Sequence, residues 1–180
     1  MKKVPFRKLR LEELGRPGPD EYAGKEKLPV LVVLDNIRSL HNIGSVFRTC
    51  DAFLISRIIL SGYTASPPHR EIQKTALGAT ETVPWQHIKD PNEVIAELKD
   101  NGYLIVPLEQ AMGSEALSEF RPSGRKIALI LGNEVDGVSH EYMESADTVL
   151  EIPQEGTKHS LNVSVAAGVA LWEMFKKMFT

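Results

Sequence analysis

Short apolar runs alternate with longer amphipathic segments along most of this chain. The apolar runs have the composition and length of strands, and they predict strands over 30–34, 57–60, 82–84, 104–107, 126–131 and 148–152. The segments between and after them predict helices over 43–52, 69–77, 92–100, 139–144 and 162–179. This alternation is typical of an α/β fold, and it predicts a mostly parallel sheet flanked by helices.

The first 27 residues do not follow this pattern. Proline and glycine in 15–20 interrupt both the helical and the strand period. We therefore expect residues 1–27 to form an N-terminal arm and linker, and residues 28–180 to form one folded domain. A chain of 180 residues with 42% hydrophobic residues is long enough to bury a substantial core.

Charge is distributed unevenly along the chain. The net charge of −3 argues weakly against a nucleic-acid partner, but the first ten residues contain five basic side chains and no acidic one. These are Lys2, Lys3, Arg7, Lys8 and Arg10. Such an arm can bind RNA phosphates, although a solubilising terminus has the same composition.

Composition also narrows the class of protein. The sequence has neither an uninterrupted run of 18 apolar residues nor an apolar signal-peptide core, so we expect a cytoplasmic protein without a membrane partner. Cys50 is the single cysteine, and the five histidines lack zinc-ligand spacing, so we expect no metal. The first predicted strand is not followed by Gly-x-Gly-x-x-Gly, which argues against an NAD-binding oxidoreductase.

Polar, glycine-containing loops follow four of the predicted strands, over 35–44, 108–113, 132–137 and 152–162. In parallel α/β sheets, ligands bind at the carboxyl ends of the strands. The stretch 151–164 is the most informative, because it is longer and more polar than a strand-to-helix turn requires. The alternative is a simple connection in which Ser160 or Asn162 caps the next helix.

Three motifs occur in a fixed order. They are Asn42-x-Gly-x-x-x-Arg48, then Leu131-Gly-Asn-Glu134-x-x-Gly137, then Ile152-Pro-x-x-Gly156-x-x-x-Ser160-Leu-Asn162-Val-Ser164. Taken singly, they are also compatible with a helix cap, a solvated arginine and a tight turn. Together they resemble the three motifs of the SpoU (TrmH-like) RNA 2′-O-methyltransferases of the SPOUT superfamily, over roughly residues 28–180.

The resemblance implies a fold and a cofactor. Members of this family have a sheet whose C-terminal segment forms a deep trefoil knot, they bind S-adenosylmethionine in the knotted loops, and they are usually homodimers. The positions that match the family's cofactor contacts are Leu108, Leu131, Gly132, Ile152, Gly156, Leu161 and Asn162. The apolar face of the last predicted helix, from Val163 to Phe175, suits either a dimer interface or the core.

The resemblance also implies catalytic positions. Arg48 matches the family's catalytic arginine, and the other polar motif residues are Asn42, Glu134, Ser160 and Asn162. A guanidinium stays protonated above pH 12 and is a poor base. We therefore favour a role for Arg48 in gripping a phosphate and stabilising alkoxide charge over a role as the base.

The expected function is S-adenosylmethionine-dependent methylation of a ribose 2′-hydroxyl in structured RNA, with tRNA favoured over rRNA. The alternative is a knotted RNA-binding or assembly protein without turnover, which the presence of all five catalytic positions disfavours. The sequence departs from the family pattern at Cys50, where alanine is common, and at Gln154, where methionine is common. Gln154 leaves the polarity of the donor pocket open.

Overall fold

A computed structural model describes residues 6–179 of the chain. Its strands are β1 (Leu28–Asp35), β2 (Ile55–Ser61), β3 (Trp85–Ile88), β4 (Tyr103–Pro107), β5 (Glu115–Ala116), β6 (Lys126–Leu131) and β7 (Leu150–Glu151). Its helices are α1 (Pro19–Gly24), α2 (Leu40–Ala52), α3 (Arg70–Ala76), α4 (Ala79–Thr82), α5 (Pro91–Asp100), α6 (His140–Glu144) and α7 (Val163–Met178), and a 3-10 turn spans Leu11–Leu14.

Five of these strands form a parallel sheet in the order β3-β2-β1-β6-β4. The predicted α/β class with a mostly parallel sheet is confirmed. β1 lies in the middle, and its residues Leu31, Val32 and Val33 are all fully buried. Unbroken burial of this kind is expected where helices cover both faces of a parallel sheet. Because β1 and β6 are neighbours, the loops that follow them lie side by side at one edge.

The sheet separates two apolar cores. On one face, β1 and β6 pack with α2 and α7, and Cys50 lies fully buried in this core. On the other face, a smaller core forms with α5 and α6. The molecule is therefore a three-layer α/β/α sandwich whose C-terminal helix is part of the main core.

The strand predicted at 82–84 is wrong by a few residues. Thr82 ends the short helix α4, and its hydroxyl donates to Asp51 Oδ1 at 2.6 Å. The Pro84 carbonyl accepts from the Ile58 amide at 2.9 Å, and β3 follows from Trp85. The β-branched residues of this segment had suggested a strand, but the hydroxyl of Thr82 instead ties the end of α4 to α2.

The strand predicted at 148–152 is shorter than expected and lies outside the main sheet. Only Leu150–Glu151 forms a strand, and it pairs with β5 in a separate two-stranded sheet. The Glu109 amide donates to the Leu150 carbonyl at 2.9 Å, so this segment runs along the chain that leaves β4. That pairing brings the loops after β4 and β7 together.

Part of the predicted linker packs on the domain. Tyr22 of α1 is only 5% exposed, and its hydroxyl donates to the Asp51 carbonyl at 3.1 Å. The Lys27 ammonium lies 3.2 Å from the centre of the Tyr22 ring. Burial raises the pKa of Tyr22. The segment before β1 therefore contributes an anchor that sequence composition did not indicate.

The predicted basic arm is described only in part. Lys2 and Lys3 lie outside the described residues. Arg7, Lys8 and Arg10 are exposed, and the Arg7 guanidinium pairs with Glu13 at 2.6 Å, which lowers the pKa of Glu13 to about 2.

Within residues 6–179, none of the helices is long and apolar enough to cross a membrane.

Gly44 allows α2 and α3 to pack closely. A Cβ at this position would lie 2.2 Å from the Ile72 carbonyl oxygen and 2.2 Å from Thr75 Oγ1. Alanine in a helix interior normally stabilises by about 1 kcal/mol relative to glycine. Here the clash with backbone reverses the sign, because α3 must move away.

We expect Gly44→Ala to lower the free energy of unfolding by about 1–3 kcal/mol, the usual cost of overpacking, in urea titrations followed by circular dichroism. The neighbouring change Ser45→Ala is the control, since it lies on the same helix and should alter stability by only about 0.5 kcal/mol. Equal stability of the two variants would show that α3 yields without cost.

Candidate functional site

A cavity of about 370 Å³ opens at the carboxyl edge of the sheet. It is lined by three loops, which follow β4 (108–110), β6 (131–137) and β7 (151–161). A cavity of this size suits a small-molecule ligand or cofactor. The structure thus brings together three of the four loops that the sequence singled out, and the loop after β1 lies next to them.

Most of the predicted cofactor positions line this cavity. Leu108, Leu131, Gly132, Ile152 and Leu161 are all part of its wall. The side chains of the four aliphatic residues supply apolar surface for a planar ring.

Two predicted cofactor positions are placed differently. Gly156 is exposed in the loop after β7 and does not line the cavity, and nothing lies within 4 Å of a Cβ placed there. Asn162 also lies outside the lining and is exposed at the start of α7. Gln154 and Ser160 do line the cavity, so the departure from the family pattern at Gln154 places an amide in its wall.

Gly132 fixes the shape of one cavity wall. A Cβ at Gly132 would lie 2.2 Å from the Gly137 carbonyl carbon and 2.3 Å from the Val138 nitrogen. The two ends of the 132–137 loop therefore touch backbone to backbone. The Asn133 side chain closes the loop from inside by accepting from the amides of Val135 and Asp136, each at 2.9 Å.

One hydrogen-bonded network connects the three sequence motifs. Asn42 Nδ2 donates to Glu134 Oε1 at 2.6 Å, and Asn162 Nδ2 donates to Asn42 Oδ1 at 3.2 Å. Asn162 Oδ1 in turn accepts from the backbone amide of Ser164 at 2.9 Å. Asn42 and Asn162 are 120 residues apart in sequence, and the fold joins them to Glu134 beside the cavity.

Only one orientation of the Asn42 and Asn162 side-chain amides satisfies the network. Capping of α7 requires the Asn162 oxygen to face the helix, so its amide NH₂ must face Asn42. The Asn42 oxygen is then engaged, and its NH₂ must face an acceptor, which Glu134 provides. A charged acceptor at Glu134 completes the chain of donors and acceptors.

Of the two asparagines at helix starts, Asn162 caps its helix and Asn42 does not. Asn162 caps α7 as the sequence suggested, and it serves the network through its other group. Asn42 does not cap α2. That helix begins at Leu40, and the Ser39 hydroxyl accepts from the Asn42 amide at 3.3 Å. The Asn42 side chain is thereby free to join Glu134 and Asn162.

Arg48 does not line the cavity to which Glu134 belongs. It is exposed on α2 and lines a second cavity of about 520 Å³, together with α1 and the turn around Gly78. Arg48 and Asn42 are six positions apart, which is about 240° around a helix, so the two side chains leave α2 in different directions. Within residues 6–179, the Arg48 guanidinium forms neither a hydrogen bond nor an ion pair, so its donors are available to a ligand.

Glu109 is a functional candidate that the sequence reasoning missed. It lines the cavity directly after Leu108, and its carboxylate accepts from the Val138 amide at 3.1 Å and the Gln110 amide at 2.9 Å. It therefore ties the loop after β4 to the loop after β6. The available signal was an acid that follows a buried strand, inside a loop already expected at the ligand edge.

Acidic groups dominate the charged lining of the cavity. The carboxylates are Glu109, Glu134, Asp136 and Glu151, and His159 also lies in the lining. Behind them, Asp35 is buried at the end of β1, where burial raises its pKa, and it accepts from the Ser139 amide at 2.7 Å. A ligand with a positive centre would find favourable charge here.

Among residues 6–179, no three histidine, cysteine or carboxylate side chains lie close enough together to hold a metal ion.

The fold and the site have known counterparts. The model of the SpoU rRNA Methylase family matches residues 29–172, and the chain belongs to this family. A Staphylococcus saprophyticus protein assigned to the TrmH family of tRNA/rRNA methyltransferases is 32% identical over 159 residues, which cover 87% of this chain and 62% of that protein.

A second relative and a solved structure extend the comparison. The 23S rRNA (guanosine-2′-O-)-methyltransferase RlmB of Vibrio vulnificus is 29% identical over 92% of this chain and 66% of its own length. An AdoMet-bound rRNA methyltransferase from Sinorhizobium meliloti superposes with a TM-score of 0.77 at 28% identity, covering 88% of this chain and 59% of that one. The chain spans about three fifths of the length of the staphylococcal relatives that it matches.

The two glycines of the predicted cofactor set should respond differently to substitution. We expect Gly132→Ala to weaken binding of S-adenosylhomocysteine at least tenfold, because the added methyl group must push the 133–137 loop away from its place. Gly156→Ala is the matched control and should bind within about twofold of the parent chain. Isothermal titration calorimetry measures both, and unaltered binding by Gly132→Ala would show that this wall is not part of the cofactor site.

Proposed function

We propose that this chain transfers a methyl group from S-adenosylmethionine to a ribose 2′-hydroxyl of a structured RNA. The observation that carries the proposal is the junction of Asn42, Glu134 and Asn162 beside a cavity of cofactor size. The Vibrio vulnificus relative methylates a guanosine 2′-oxygen, and the Sinorhizobium meliloti structure holds AdoMet. Both support the same activity here.

The cavity fits the donor in shape and charge. Leu108, Ile152 and Leu161 would enclose the adenine ring, and the backbone at Gly132 is open to close approach because no Cβ intervenes. The carboxylates of the lining favour the positively charged sulfonium and amino groups of the donor. When bound, the donor supplies an electrophilic methyl group.

The residues of the chain then have separate tasks. Arg48 binds the phosphate next to the reacting ribose and stabilises negative charge as the hydroxyl loses its proton to that phosphate or to water. Its place outside the donor cavity supports a contact with RNA rather than with the donor. Asn42, Glu134 and Asn162 hold the mouth of the cavity in shape, and Ser160 lies in its wall.

The C-terminal segment is proposed to form the trefoil knot of the family. Two contacts support a loop that is enclosed by earlier parts of the chain: Gln110 Nε2 donates to the His159 carbonyl at 2.6 Å, and Asn162 bonds Asn42. α7 also packs on α2, which ends this segment deep in the main core.

We further propose a homodimer that uses the outer face of α7. Val163, Ala170 and Met174 of the predicted apolar face are buried in the core, whereas Val165, Val169 and Trp172 are 42–51% exposed. The Trp172, Phe175, Phe179 and Phe53 rings form a continuous aromatic group beside them. An apolar face of this kind is typical of a protein interface.

The RNA partner is proposed to be tRNA rather than rRNA, met in the cytoplasm. Arg7, Lys8 and Arg10 support an arm that binds phosphates, together with Lys2 and Lys3 beyond the described residues. The alternative function is a knotted RNA-binding or assembly protein without turnover. The presence of Arg48 together with the polar motif residues Asn42, Glu134, Ser160 and Asn162 favours the enzyme.

Two measurements test the proposed function. Calorimetry of the full chain should show binding of S-adenosylmethionine and S-adenosylhomocysteine but not of NAD, and binding of NAD alone would refute the methyltransferase. Mapping of 2′-O-methyl positions in total RNA from cells with and without the gene should reveal one or more lost positions. Donor binding with an unchanged methylation map would favour the alternative without turnover.

The Arg48→Lys variant tests the phosphate grip. It keeps the positive charge but loses the planar pair of donors, so we expect kcat to fall by about 10² or more while donor affinity stays the same. Arg125→Lys is the control, because Arg125 is exposed in the loop before β6 and away from both cavities. Near-parental turnover by Arg48→Lys would contradict the grip.

A further inference from the structure

An exposed aromatic ring and an arginine form a pair next to the donor cavity. Tyr63, which follows β2, is 54% exposed, and the Arg38 guanidinium lies beside it. Arg38 Nε donates to the Tyr63 hydroxyl at 3.2 Å, and Arg38 Cζ lies 5.8 Å from the centre of the ring. Neither side chain is used by the proposed methyl transfer.

The turn that carries Tyr63 is held rigidly. The Tyr63 amide donates to Asn36 Oδ1 at 3.2 Å, and both Asn36 and Gly62 adopt left-handed backbone conformations, with φ of 55° and 66°. A Cβ at Gly62 would lie 2.0 Å from Asn36 Oδ1, so the two turns interlock. The exposed ring is thus presented on a fixed support rather than on a loose loop.

Thr64 provides a second attachment for the same turn. Its buried hydroxyl donates to the Leu34 carbonyl at 2.9 Å and accepts from the Ile37 amide at 2.9 Å. The loops after β1 and β2 are therefore joined on both sides of Tyr63. A preorganised aromatic side chain loses little entropy when a ligand stacks on it.

The pair borders the donor cavity through its acidic neighbour. Arg38 lies 3.5 Å from Asp136, which lines the cavity. The hydrogen bond to Tyr63 is the main cause that raises the pKa of Arg38, and the negative charges of Asp136 and Glu134 raise it further. Both members of the ion pair are at least 60% exposed, so it contributes little stability. A phosphate could take the place of Asp136 at small cost.

We propose that Tyr63 and Arg38 bind an unpaired nucleotide that flanks the methylated one, with its base stacked on Tyr63 and its phosphate paired with Arg38. Unpaired bases in RNA are commonly recognised by stacking on aromatic rings, and guanidinium groups bind phosphates through paired hydrogen bonds. The inference rests on the proposed function for its RNA partner, and it adds a determinant of RNA selection beside the reacting ribose.

Four variants of the full chain test the proposed nucleotide-binding platform, which consists of Tyr63 and Arg38. Tyr63→Ala removes the ring, Tyr63→Phe keeps the ring without its hydroxyl, and Arg38→Gln removes the charge. Lys126→Gln is the matched control, because Lys126 lies 5.5 Å from the Tyr103 ring in a similar cation–aromatic pair at the opposite edge of the sheet. The probe is total RNA from cells that lack the gene, assayed both for retention on filters and for methylation with labelled S-adenosylmethionine.

We expect Tyr63→Ala to weaken RNA retention and raise KM by about 5- to 150-fold, the range for loss of one base–aromatic stack. Arg38→Gln should weaken RNA retention about tenfold and raise KM about tenfold. Tyr63→Phe and Lys126→Gln should stay within about twofold, and S-adenosylhomocysteine affinity and melting temperature should be unchanged in all four.

The outcomes separate the two proposals. If Tyr63→Ala and Arg38→Gln retain RNA as well as Lys126→Gln does, the platform is refuted whether or not the chain is an enzyme. If the parent chain retains RNA through Tyr63 but methylates nothing, the platform stands and the proposed turnover fails. A parent chain that retains no RNA refutes both.

Discussion

The amide of Asn42 is the contact on which the site depends. It donates to Glu134 and accepts from Asn162, so one side chain joins the first helix after β1 to the loop after β6 and to the start of α7. None of these segments is close to another in sequence. Because the oxygen of Asn162 is committed to its helix cap, each member of the network has a fixed orientation. The cavity is shaped by a short polar relay as much as by its apolar walls.

Sequence reasoning was most successful where hydrophobic pattern and motif order agree. The buried strands β1 and β6 are apolar along their whole length, and the loops that follow a parallel strand must emerge at the same edge. This is why the loops that begin at Leu108, Gly132 and Ile152 could be expected at one ligand site from the sequence, whereas the individual cofactor positions in them were implied by the family resemblance. The position of Asn162 at a helix start followed from its capping chemistry.

The remaining features depend on contacts that no local pattern encodes. The Thr82 hydroxyl at the end of α4 donates a hydrogen bond to Asp51. Tyr22 is buried between α2 and α4, where its hydroxyl also bonds Asp51. Glu109 acts through backbone amides of a distant loop, which carry no side-chain signature. The place of Arg48 relative to Asn42 was the least accessible, since it depends on the direction in which each residue leaves the helix.

The burial of Tyr22 also sets the physical limits of the domain. The family match begins at residue 29 and ends at residue 172, yet Tyr22 before it and Met174 after it are both almost fully buried. Lys177, further on, donates to the carbonyls of Leu117, Ser118 and Phe120. A chain shortened to the matched residues would expose a wall of the Arg48 cavity and release the loop held by α7. The segment that packs as one folded unit is therefore longer than the segment that matches the family. A shortened version of the protein should keep both the residues around Tyr22 and those up to Lys177.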